Sequence, residues 1–198
     1  MVDQPVELSL QPFHRSANVD CSFAYMGSVL SVTASLEETG GGLSVMVIHA
    51  RSGSEPPPHI HHREHELFYI LEGTIEFFCE GYESSFVVGQ GETVFLPQAK
   101  AHAMRFRSAE VRVIAVLHAQ ENQRTTSEPY FKQMAVGRAS SMLLSDNLAQ
   151  YSTATIFEID NAIQVAAANG ITLLSPAETA RRLPCYPGSE AEPSRGGQ

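Results

Sequence analysis

The chain has 198 residues, 43% hydrophobic and 18% charged, a composition that builds one packed core of ordinary domain size and argues against wholesale disorder. Thirteen Lys and Arg against 22 Asp and Glu leave a net charge of -9, which repels phosphate backbones and anionic lipid headgroups, so neither nucleic acid nor a membrane is an expected partner. Cys21, Cys79 and Cys185 are odd in number and far apart, which makes free thiols the expectation, and with neither a basic-then-apolar opening segment nor a membrane-length apolar run the expected location is cytoplasmic.

Residues 1–26 show little periodicity and read as an N-terminal arm. Eight short runs rich in β-branched and aromatic residues follow, at 29–34, 43–50, 66–71, 74–79, 84–88, 93–96, 102–106 and 111–117, each of strand length. Between them stand turn formers: the EETGGG of 37–42, the GSEPPP of 53–58, the pairs Glu72–Gly73 and Glu80–Gly81, and the GQGE of 89–92. Strands at such regular spacing predict a sandwich or barrel over 27–120. A helical extension is predicted over 121–183. Ser127, Glu128 and Pro129 open its first helix and Gly137 ends it, whereas Ile159, Ile163 and Ala166 recur at helical spacing in a second helix over 157–169, with Asn169 and Gly170 as its left-handed cap. The tail over 184–198, rich in Pro, Gly, Ser and Glu, is expected to be disordered, since it has too little apolar surface to bury.

Four of the eight histidines fall within seven residues, in the segment GSEPPPHIHHREHELFYILEG of 53–73. His59 and His61 stand at i and i+2, so on a strand they share a face. A turn through His62, Arg63, Glu64 and His65 returns the chain so that Glu66 meets them on the neighbouring strand. GETVFLPQAKAH, residues 91–102, adds His102 at the start of another strand. Three imidazoles and one carboxylate suit one divalent transition metal per chain (Fe, Mn, Ni, Co, Cu or Zn) and leave coordination positions open for a reactant. His62 and His65 belong to a solvated charged turn or line the entrance to the site.

These two segments resemble the two motifs of the cupin family. The first agrees at Gly53, His59, His61, Glu66 and Gly73, and the second at Gly91, Pro97 and His102. The second departs from the family at Ala99, where the family usually has Gly, so its turn is expected to avoid a positive φ, and at Phe106, where Asn is frequent. The resemblance implies an all-β, jelly-roll β-barrel with the metal at its centre, followed here by a short C-terminal helical appendage. HIHHREHELFYILEG and the later AAANGITLLSP are further similar to the single-cupin quercetin 2,3-dioxygenase group.

Strand parity places Phe68, Ile70, Met104 and Phe106 on the same inward face as the ligands, as substrate-binding wall residues, while Leu67, Tyr69, Ala103 and Arg105 point away. Met46 and Ile48 are further wall candidates. An apolar cavity around a metal suits a flat hydrophobic substrate, and the resemblance to the quercetin 2,3-dioxygenase group implies a dioxygenase acting on an enolisable aromatic, flavonol-like or polyketide-like small molecule, with dioxygen as co-substrate. Glu66 would then be both ligand and catalytic base. Two readings stand beside it: a non-redox metal enzyme (isomerase, cyclase, dehydratase or decarboxylase), and a small-molecule-binding protein without turnover. A homodimer is expected, because a single barrel leaves sheet edges and an apolar outer face to cover.

Overall fold

The computed structural model describes residues 10–120, 123–144 and 156–187, with the side chains of 156–158 left aside. Twelve strands appear among these residues: β1 (Ser22–Tyr25), β2 (Ser28–Ala34), β3 (Leu43–Arg51), β4 (His59–His61), β5 (Glu64–Glu72), β6 (Thr74–Cys79), β7 (Phe86–Gly89), β8 (Thr93–Leu96), β9 (His102–Phe106), β10 (Glu110–Ala119), β11 (Gly137–Arg138) and β12 (Ile171–Leu173). Three helices follow or interrupt them: α1 (Glu128–Met134), α2 (Ile156–Ala168) and α3 (Pro176–Arg182). The bounds of β6, β8 and β9 coincide with the runs read from sequence, and those of β6 follow from the Gly73 and Glu80–Gly81 turns on either side.

The strands form two antiparallel sheets, one of seven in the order β11-β1-β2-β3-β10-β5-β8 and one of five in the order β12-β4-β9-β6-β7. They are not closed into the expected barrel. The architecture is a mainly β, jelly-roll-like pair of sheets, and the main core lies between them, including Met46, Phe68, Ile70, Ile75, Phe77 and Leu117. Alternation is clear along β10, where Val111, Val113, Ala115, Leu117 and Ala119 are buried and the intervening residues are not. Gly73 shows why a glycine closes the β5–β6 hairpin. Its φ is +84°, and a Cβ there would lie 2.6 Å from the carbonyl oxygen of Glu110.

Several expectations need correcting. Ser22–Tyr25, inside the region read as an aperiodic arm, is a strand paired with β2 and β11. α1 stops at Met134, and Gly137 opens β11 instead of ending the helix. Along α2, Ala166 is fully buried but Ile159 and Ile163 are about half exposed, so the apolar face read from sequence is only partly the packed one. Asn169 and Gly170 do close that helix, Gly170 at φ +78°. The C-terminal segment is also less separate than expected: β12 pairs with β4, Ile171 opposite His61 and Leu173 opposite His59, so it supplies an edge strand to the sheet that carries the histidines. A second, smaller core of Ile60, Phe78, Ala101, Ala103, Leu174 and Leu183 buries the other face of that sheet, and Cys185 and Tyr186 pack on it within the tail expected to be disordered. No helix among the described residues is long and apolar enough to cross a membrane.

Candidate metal centre

β4 and β9 lie side by side with His59 opposite His102, while Glu66 comes from β5 of the other sheet, between Leu96 of β8 and Leu117 of β10. The four side chains therefore bridge the gap between the sheets. All four are buried, and one ligand atom from each falls within 4.8 Å of every other. The Nε2 of His59 stands 3.2 Å from that of His61 and 3.1 Å from that of His102. Glu66 Oε2 lies 3.6 Å from His61 Nε2 and 3.4 Å from His102 Nε2.

The outer nitrogens decide the protonation of the inner ones. His59 Nδ1 is 2.8 Å from the carbonyl of Pro57, and His102 Nδ1 is 3.2 Å from that of Lys100. A carbonyl only accepts, so both rings carry their proton on Nδ1. His61 Nδ1 likewise donates to Glu64 Oε1 at 2.6 Å. Three Nε2 lone pairs are thus aimed at one point, where neutral acceptors repel one another and a cation relieves the conflict. Burial, together with the neighbouring His102 and His61, holds the His59 imidazolium well below its ordinary pKa, so protonation of this nitrogen is disfavoured. Burial alone would raise the Glu66 pKa, but the imidazoles of His61 and His102 outweigh it and keep the carboxyl ionised. Its Oε2 is buried with no hydrogen-bond partner among the described residues. An orphaned carboxylate oxygen beside three converging imidazole lone pairs fits a divalent transition metal.

The turn between the ligand strands is shorter than expected, occupying only His62 and Arg63. Glu64 and His65 begin β5, and Glu64, expected in a solvated loop, is completely buried. It is the functional residue that the sequence reading missed. Its signal was its i, i+2 relation to Glu66, which puts both on one face of a strand. Glu64 also accepts the Ser127 amide proton at 3.1 Å, which joins the start of α1 to His61. Contrary to the expectation that alanine would keep this turn out of positive φ, Ala99 adopts φ 62°, the left-handed backbone that glycine favours, with its amide donating to the His61 carbonyl at 2.8 Å.

A cavity of about 70 Å³ opens beside the centre, bounded in part by His59, His61 and Glu66. Phe68, Met104 and Phe106 line it. Ile70 faces inward as parity requires, but it is packed wholly within the core and does not reach the cavity wall. Of the two further candidates Ile48 is on the wall and Met46 in the core, and neither His62 nor His65 reaches the cavity. Tyr25 from β1, Tyr130 and Phe131 from α1 and Ile171 from β12 are also on its wall. Nothing local marked these four, because long-range packing brings them there.

Residues 46–117 match the family model described as Cupin domain. Among solved structures, the chain is similar to the Cnp3 cupin domain of Schizosaccharomyces pombe, at 16% identity over 47% of this chain and 65% of that one, with a TM-score of 0.42. It is also similar to a predicted oxalate decarboxylase from Thermotoga maritima, at 18% identity over 55% of this chain and 100% of that one, TM-score 0.47. A third likeness is to the polyketide cyclase RemF from Streptomyces resistomycificus, at 20% identity over 56% of this chain and 80% of that one, TM-score 0.43. This chain thus spans slightly less than two thirds of the Cnp3 domain structure. No curated protein sequence matches it. The family match, which contains His59, His61, Glu66 and His102, supports the cupin superfamily.

Proposed function

We propose that this protein is a metal-dependent dioxygenase that acts on a compact, enolisable small molecule of 1,3-dicarbonyl, aromatic or polyketide-like type, in the manner of the quercetin 2,3-dioxygenase-like group. The observation that carries the reading is Glu66 Oε2, buried beside two imidazoles with no hydrogen-bond partner among the described residues, on a residue that borders an apolar cavity. A divalent metal held by His59, His61, Glu66 and His102 would supply Lewis acidity at the cavity floor, stabilising negative charge on a substrate oxygen. The protein's own part follows from its side chains. Phe68, Met104 and Phe106 exclude water and orient an apolar body, and ionised Glu66 takes the proton whose loss makes the substrate electron-rich enough to react with dioxygen. The cavity favours compact substrates, and a flavonol would extend through its mouth.

Glu66→Gln tests the base. The amide oxygen still coordinates but accepts no proton at neutral pH, so metal content should largely persist while oxygen consumption with a 1,3-diketone falls by about two to four orders of magnitude. Wild-type rates in that variant would remove the base assignment. A metal-loaded wild type that binds such diketones without ever consuming oxygen would replace the dioxygenase with proton-transfer chemistry alone.

The protein is further proposed to be cytoplasmic, consistent with its free thiols, and to work as a homodimer. On the outer face of the larger sheet Phe95, Leu67, Val116 and Val45 stand in register across β8, β5, β10 and β3, with Phe95 more than half exposed. A second copy would cover that row. Light scattering should give twice the 21.6 kDa chain mass, and a single-chain mass at micromolar concentration would reject it.

A further inference from the structure

The cavity has a second polar feature besides the metal centre. Tyr25 and Tyr130 both line it, and the Tyr25 hydroxyl donates to that of Tyr130 at 3.2 Å. That bond uses a lone pair of the Tyr130 oxygen and leaves its proton to be given elsewhere, yet among the described residues no acceptor for it is present. The serines on the wall differ. Ser54 Oγ donates to the Arg51 carbonyl at 2.7 Å and meets Ser28 Oγ at 3.4 Å, so their hydrogen bonding is directed into the protein.

Tyr130 is also firmly placed. It is buried, and its ring makes edge contacts with Tyr25 and Phe131, at centroid distances of 6.2 and 5.4 Å. The start of its helix is pinned on both sides: Ser127 donates its amide proton to Glu64, and the Glu128 carboxylate accepts from the Leu36 amide and the Ser44 hydroxyl, each at 2.6 Å. Burial raises the Tyr130 pKa more than the bond from Tyr25 lowers it, which keeps the phenol protonated and a donor at neutral pH. Among the described residues no Lys, Arg or Asp lines the cavity, and Glu66 is the one carboxylate there.

We propose that Tyr130, oriented by Tyr25, is a specificity-determining hydrogen-bond donor to a second oxygen of the substrate, and that the substrate is neutral apart from its acidic enol, bearing a carbonyl or ether acceptor away from that enol. The proposal rests on the reading of the metal centre given above. A second carboxylate or phosphate on the substrate would find no counter-ion among the described residues of the wall, and an acceptor-free hydrocarbon end would leave a buried phenol donor unpaired.

Two isosteric probes test it: heptane-2,4-dione and 1-methoxypentane-2,4-dione, which differ by an ether oxygen in place of one methylene. Binding to the metal-loaded protein is measured by anaerobic titration calorimetry. Wild type should bind the methoxy compound about five- to tenfold more tightly, the range of one neutral hydrogen bond. Tyr130→Phe should abolish that preference with metal content kept and heptane-2,4-dione bound at least as tightly as by wild type, since no phenol donor is then left unpaired, a pattern that general loss of structure does not produce. Tyr25→Phe, which keeps the donor but removes its orienting partner, should retain part of the preference. Equal binding of both diketones to wild type, or a preference that survives Tyr130→Phe, overturns the anchor while leaving the metal-centre reading intact. Binding of neither diketone overturns both.

Discussion

His61 and His62 are neighbours in sequence and opposites in environment. The first is buried between the sheets, its Nδ1 held by Glu64 and its Nε2 aimed at His59, while the second is exposed and reaches Thr172 of β12 at 2.9 Å. His65 repeats the contrast. It accepts the Gln98 amide proton at Nδ1 and meets the Gln120 side-chain amide at Nε2, so both of its nitrogens are occupied on the outside of the sheet. The inner rings are instead anchored through one nitrogen and free at the other. A histidine becomes a ligand candidate here through strand parity and through which nitrogen the protein has already used.

The contrast would break most plainly in metal content. His59→Ala or His102→Ala should lower metal affinity by more than about a hundredfold, beyond the range seen when only an outer-shell partner is removed, while His62→Ala leaves it unchanged. Elemental analysis of the three variants after growth in metal-supplemented medium decides this, and equal loss from all three would erase the distinction between inner and outer sets. Acidification examines the same nitrogens. Burial opposes a charge on His61, but the carboxylates of Glu66 and Glu64 outweigh it and raise the pKa of that ring. A proton therefore competes with metal at His61 as pH falls, so chelator-accessible release should begin at a higher pH than for an unperturbed histidine.

A sharper test concerns what holds His61 in place. Glu64→Ala removes the acceptor for its Nδ1 proton and should weaken metal binding by about ten- to a hundredfold, whereas Glu64→Gln, which retains an acceptor oxygen, should lose less. Competition against a metallochromic chelator measures both, and wild-type affinity in Glu64→Ala would demote the carboxylate to packing.

The smallest effect lies in the turn that touches both sets. Gln98 donates its amide proton to His65 on the outside, and Ala99 donates its own to the His61 carbonyl behind the inner set. Ala99 holds φ 62°, which costs an L-residue about 1–2 kcal/mol, partly offset by the greater unfolded-state freedom of glycine. Ala99→Gly should stabilise the protein by about 0.5 kcal/mol in denaturant titration with metal content unchanged, and a destabilisation would mean that the Ala99 methyl packs usefully.

Much of this site was legible along the chain because it rests on local rules. Period-two alternation put His59 with His61 on one face, and Phe68, Ile70, Met104 and Phe106 inward. Glycine and proline turns marked the ends of the strands that carry the ligands, and the Asn169–Gly170 cap followed from helix-end chemistry. Glu64 was legible in principle by the same parity and was lost only because its turn was read two residues too long. Other features needed the third dimension. Whether the strands close into a barrel or remain two sheets depends on edge pairings between distant segments, such as β12 with β4, for which β12 offers only three residues of weak signal. That Ile70 stops short of the cavity while Ile171 and Tyr130 reach it is likewise a matter of packing between elements far apart in sequence. Periodicity states which face a side chain occupies, and only the assembled sheets and helices determine what lies opposite it.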